Sequence, residues 1–224
     1  GNIYTASYVV SANGSFKIVA TDTAKNSRTT TQAVTKIDTT APKVKIKIYK
    51  SDANGNKGDA IKTITSDYST GKWVNYFYYF DLSDSSDSQS KIASVTMGYS
   101  AGGKKTISTT ISGTRTLSAS TLATTVRSNG ARYLVFTVTD TAGNKAVVKV
   151  KIYIDVTAPT MSLKLYAANS EDKKVGAVKE TITESQAVSG WKNYRHYFDL
   201  TGSADSLSGI ASIKMQINKT GIEA

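Results

Sequence analysis

The chain has 224 residues, no cysteine, one histidine and 28 Lys+Arg against 17 Asp+Glu, a formal charge of +11. Zero cysteine excludes disulfides, thiolate nucleophiles and Cys-ligated zinc, and a single histidine, His196, excludes a multi-histidine metal centre. No apolar run approaches the roughly 18 residues that cross a bilayer, so membrane insertion is not expected; Gly1-Asn2-Ile3-Tyr4 also lacks the basic and apolar regions of a signal peptide.

In chain order the residues read as strands separated by turns. Phe16, Ile18 and Ala20 alternate with other residues ahead of the turn Thr21-Asp22-Thr23-Ala24-Lys25-Asn26. Ala41-Pro42 follows; proline lacks an N–H and holds its predecessor extended, so this pair is a stiff junction. Val44, Ile46 and Ile48 alternate with Lys43, Lys45 and Lys47, a solvated sheet face. Tyr76, Tyr78, Phe80 and Leu82 share one face of the next long strand. Further strands are predicted around Ile92, Val95, Met97 and Tyr99 and over 106–111. Leu134, Phe136 and Val138 form one alternating face, and Val148, Val150, Ile152 and Ile154 another, with Ala142-Gly143-Asn144 turning between them. No helical apolar stripe exceeds two turns, so the predicted fold class is all-β.

The chain repeats itself. Trp73-Val74-Asn75-Tyr76 and Tyr79-Phe80-Asp81-Leu82 return as Trp191-Lys192-Asn193-Tyr194 and Tyr197-Phe198-Asp199-Leu200, 118 residues on. Asp87 and Ile92 return as Asp205 and Ile210 at the same offset. Asp22 and Asn26 match Asp140 and Asn144, and Asp38-Thr-Thr-Ala41-Pro42 matches Asp155-Val-Thr-Ala158-Pro159. The unit is about 117 residues, the size of a small domain. One complete module is predicted over residues 40–156. Residues 1–39 read as the C-terminal part of a preceding module, and 157–224 as the N-terminal part of a following one. The copies also sort the faces. Phe77 becomes Arg195 while Phe80 and Leu82 stay apolar, so Phe77 is expected outside and the other two inside. Seven or eight short half-buried strands in such a unit fit a two-sheet sandwich.

These motifs in order, from Asp38–Pro42 through Trp73-Val-Asn75 and Asp87-Ser-x-Ser-x-Ile92 to Thr139-Asp140-Thr-Ala-Gly-Asn144, resemble bacterial immunoglobulin-like tandem repeats. The resemblance implies an immunoglobulin-like β-sandwich, an extracellular location at the bacterial cell surface, and a role as stalk, filament, adhesin or surface-layer component. The alternative it implies is a carbohydrate-binding accessory module of a secreted glycan-acting enzyme. Implied partners are neighbouring immunoglobulin-like modules or copies of the chain itself arranged head to tail, and a cell-wall polymer or host glycan. Lys25 stands where this turn usually has glycine, leaving Asn26 as the candidate for a positive φ.

Few residues read as chemistry. His196 aligns with Tyr78 on an apolar face, and Asp84, near Asp81 and Asp87, becomes Gly202 in the next copy, so no catalytic set recurs and an enzyme is not expected. No resident cofactor is expected either. The calcium candidates are Asp81, Asp87, Asp140, Asn144, Asp155, Asp199 and Asp205, hard oxygen donors near turns and junctions, where Asp38 and Asp155 each look solitary. The competing reading is that these side chains bond their own turns. Trp73, Tyr79, Trp191 and Tyr197 are candidates for stacking on a sugar. Residues 40–156 hold 16 cations against 8 acids, +8 of the +11, so the basic charge belongs mainly to one copy and no nucleic-acid partner is expected.

Overall fold

The computed structural model describes residues 3–101, 113–117, 122–182 and 191–215. Among these there is no helix, and hence none long and apolar enough to cross a membrane; the fold is all-β. The strand expected over 106–111 lies outside the described residues apart from its surroundings. The chain divides into two compact units, Gly1–Ile154 and Asp155–Ala224.

The first unit opens with a hairpin, β1 (Gly14–Thr21) and β2 (Ser27–Val34), paired only with each other among the described residues. The sandwich-like body follows. Its strands are β3 (Ile46–Ser51), β4 (Lys57–Ile64), β5 (Tyr68–Ser69), β6 (Phe77–Asp81), β7 (Ile92–Ala101), β8 (Gly113–Thr116), β9 (Ala123–Val126), β10 (Gly130–Asp140) and β11 (Lys145–Ile154). One sheet runs β4-β3-β6-β9 and the other β5-β11-β10-β7-β8. All pairings are antiparallel except β5 beside β11.

Period-two alternation builds the core. Ile46 and Ile48 of β3, Tyr78 and Phe80 of β6 and Val126 of β9 point one way; Val95 and Met97 of β7, Leu134, Phe136 and Val138 of β10 and Val148 to Ile154 of β11 point back at them. The Phe80 and Phe136 rings meet across the layers at 5.2 Å. Each such side chain contributes about 1.5–3 kcal/mol by leaving water. Burial pushes the Tyr78 phenol well above its ordinary value of 10.0, as its place between the sheets requires. Phe77 and Tyr79 lie on the opposite face of β6 from the buried Tyr78 and Phe80, as the Phe77/Arg195 exchange indicates.

The second unit holds β12 (Leu163–Ala168), β13 (Lys174–Ile182) and β14 (Arg195–Asp199) in the order β13-β12-β14. Counting by the repeat, these correspond to β3, β4 and β6, whose order is β4-β3-β6. The loops agree atom by atom. Ser85 Oγ accepts from the Lys45 N–H at 3.0 Å, and Ser203 Oγ accepts from the Ser162 N–H at 3.0 Å. One exchange is compensated: Asp84 pairs with Lys45 and Lys47, whereas its counterpart Gly202 lies so close to Ser162 that a Cβ would come within 2.7 Å of the Ser162 hydroxyl.

Candidate functional site

Folding gathers three carboxylates where the body begins. Oxygens of Asp38, Asp87 and Asp140 lie within 4.8 Å of one another, so Asp38 is not the solitary acid that its sequence neighbours suggest. Each comes from a different piece of local structure. Asp38 ends the segment after β2, Asp87 heads the loop before β7, and Asp140 closes β10. The signal available in the sequence was the pairing of Asp38 with Asp87 and of Asp155 with Asp205 in successive copies.

Hydrogen bonds account for most of their oxygens. Asp140, buried, accepts the Asn144 N–H at 2.8 Å on Oδ1 and the Asn144 side-chain amide at 2.9 Å on Oδ2. The same amide donates to the Asp38 carbonyl at 3.0 Å, so Asn144 Nδ2 joins the turn to the strap. Asp87 Oδ1 takes the N–H groups of Gln89, Ser90 and Lys91 at 2.9, 2.7 and 3.3 Å. These backbone bonds hold its carboxyl below the ordinary value of 3.8. Asp38 Oδ1 accepts from Thr40 N–H at 3.0 Å, while its buried Oδ2 has no partner. Three hard donors of this kind suit a calcium ion chemically. The turn and loop bonds already explain why Asp87 and Asp140 stand where they do, and we read the cluster as the joint that fixes the Asp38–Pro42 strap to the body. An open pocket of about 400 Å³ lies beside it, lined by Asn13, Ile37, Asp38, Gln89, Ser90 and Thr141.

The second unit repeats two of the three acids. The Ser208 N–H bridges Asp155 Oδ2 at 3.1 Å and Asp205 Oδ1 at 2.8 Å. The position 118 beyond Asp140 lies outside the 224 residues. Asp81 and Asp199 belong elsewhere. Asp81 accepts from the Ser83 N–H and hydroxyl and pairs with Lys57 at 3.1 Å; Asp199 does the same with Thr201 and with Lys174 at 2.9 Å. The Thr201 hydroxyl, Lys174 and the Thr201 N–H hold Asp199 far below 3.8. Burial pushes Asp81 up, but Ser83 and Lys57 outweigh it and leave it low.

In the first unit the two aromatic candidates, Trp73 and Tyr79, do not converge. Trp73 packs edge-on against Tyr153 at 5.4 Å, beside β11, where Val74 bridges to Ile154. Tyr79 projects from the other sheet, edge-on to Tyr49 at 6.2 Å, with Lys57 Nζ 4.0 Å above the Tyr49 ring. They therefore lie on outer faces of opposite sheets and make no common platform. Trp191 is fully exposed, and Tyr197 lies opposite Tyr166 on β12. His196 sits between the rings of Tyr194 and Phe198, and its buried Nε2 has no hydrogen-bond partner among the described residues.

The chain matches no protein-family model and no curated protein.

Proposed function

We propose that this chain is a non-catalytic structural or adhesive stretch of a large bacterial extracellular surface protein, built from immunoglobulin-like modules in series. The observation that carries the reading is a complete two-layer body flanked on both sides by stretches that repeat its sequence and its loop hydrogen bonds. The strand order supports the immunoglobulin-like assignment. β10 stands between β11 and β7 as strand F stands between G and C, and β3-β6-β9 corresponds to A-B-E on the facing sheet. The geometry of the acids supports a mechanical role: Asp140 bonds its own turn, and Asn144 ties that turn to the Asp38 carbonyl of the junction strap.

Retention on immobilised polysaccharides separates this reading from a carbohydrate-binding accessory module. The structural reading expects the folded chain to elute with the void from cell-wall polymers and β-glucans alike. Specific retention that Trp73→Ala or Tyr79→Ala abolishes would replace it with the carbohydrate reading.

A further inference from the structure

The outward face of the β4-β3-β6 sheet is repeated more faithfully than the core behind it. The outward residues Tyr49, Lys57, Tyr79 and Asp81 return as Tyr166, Lys174, Tyr197 and Asp199. The inward residues Ile46, Ile48 and Tyr78 return changed, as Leu163, Leu165 and His196, and outward Phe77 becomes Arg195. Exposed strand faces ordinarily tolerate exchange at little cost, so four outward residues kept together point to a constraint on that face. Their geometry is kept as well. Lys57, the first residue of β4, reaches across β3 to β6: its Nζ lies 4.0 Å above the Tyr49 ring and donates to Asp81 Oδ2 at 3.1 Å. Lys174, the first residue of β13, reaches across β12 to β14, 4.6 Å above the Tyr166 ring and 2.9 Å from Asp199 Oδ2. In both copies the second tyrosine stands directly opposite the first, Tyr79 beside Tyr49 and Tyr197 beside Tyr166. Both carboxylates are also fixed from the far side. The N–H and hydroxyl of Ser83 or Thr201 bond Oδ1, which leaves Oδ2 to the lysine.

We infer that Lys57 and Lys174 are latches: each holds the start of its outer strand on the sheet through a tyrosine ring and an aspartate, and its release lets that strand open while the rest of the unit stays folded. The backbone ladder is weakest where the latch crosses. β4 shifts register against β3 on both sides of Tyr49, and β13 shifts against β12 between Leu165 and Ala167. A shifted ladder leaves residues unpaired, and a strand held from one side by such a ladder opens at low free energy. The latch bond is better placed than an open surface pair, because the Asp81 and Asp199 side chains are only 13% and 8% exposed. The ammonium over the tyrosine ring adds a second attraction across the middle strand. Closed, β4 covers the β3 edge; open, it uncovers a row of backbone groups able to pair with another sheet. The latch belongs to each unit by itself and does not depend on what the chain binds or supports.

Native-state hydrogen exchange on the full chain tests this. Lys57→Met keeps the apolar stem and removes the cation, Asp81→Asn removes the opposing charge, and Lys57→Arg keeps a cation able to bond Asp81 and stack on Tyr49. In Lys57→Met and Asp81→Asn the amides of β4 should exchange at least about fivefold faster than in the unaltered chain, while those of Leu134–Val138 in β10 keep their rates. Lys57→Arg should restore most of the protection. Lys174→Met should speed the amides of β13 alone. Unchanged β4 exchange in Lys57→Met overturns the inference. So does equal acceleration of β4 and β10, which would make Lys57 a contributor to global stability only, and so does failure of Lys57→Arg to restore protection.

Discussion

The five-residue turn Asp-x-x-x-Asn does the same work three times. In Asp22–Asn26, Asp52–Asn56 and Asp140–Asn144 the Asp carboxylate accepts both the N–H and the side-chain amide of Asn, at 2.7–2.9 Å. The residue before Asn carries the positive φ: 90° at Gly55, 95° at Gly143 and 71° at Lys25. Lys25 itself takes the left-handed conformation, not Asn26, because the bonds of Asn26 to Asp22 need its backbone elsewhere. The turn motif was legible in the residues; the convergence of Asp38 on Asp87 and Asp140 was not, because it joins positions 49 and 102 residues apart that only the fold brings together. The carboxylates also set an acid limit. Hydrogen bonds hold Asp22, Asp52, Asp87 and Asp205 below their ordinary 3.8 in the folded chain. Their stabilisation is therefore complete above about pH 3.8 and is lost as pH falls through the lower folded values. Thermal melts should show a flat midpoint from pH 7 to about pH 5 and a fall below pH 3.8, shallower in Asp87→Asn.

Strands with one buried face announce themselves, and strands at edges do not. The alternation of β3, β6, β7, β10 and β11 follows from a core on one side and water on the other, and each was readable. β4 was not, because nearly all its residues are exposed: it is an edge carrying Lys57 and Lys62, with register shifts against β3. Such features discourage pairing with another sheet. β5 and β9 are too short, at two and four residues, to establish a period. The two copies of the β10-type strand give a direct comparison of side chains in different surroundings. Phe136→Ala should cost about 3–5 kcal/mol in urea unfolding of the first unit, through lost burial and the cavity left between the sheets. Ile18→Ala, at the equivalent place on an open hairpin, should change that transition by less than about 0.5 kcal/mol.

The repeat governs how the whole chain is understood. A length of 224 residues suggests one or two ordinary domains; the internal offset shows one full body between two stretches that resemble its halves. The body is tied near its exit strand. Beside β11, the Thr70 N–H donates to the Lys151 carbonyl at 3.0 Å, the Val74 N–H to the Tyr153 carbonyl at 3.3 Å, and the Lys149 N–H to Asp67 Oδ1 at 2.7 Å. Because β5 runs parallel to β11, force that slides β5 along β11 loads these bonds together in shear. A module that serves as a mechanical spacer should resist until they fail at once. Lys43 through Ile154 is 112 residues, which extend to about 37–40 nm at roughly 3.3–3.6 Å each. Single-molecule force spectroscopy on the full chain tests the proposed role most directly. The expected trace contains one abrupt event that lengthens the chain by about 35 nm, the extended length less the folded span. Smooth extension with no discrete event would contradict it.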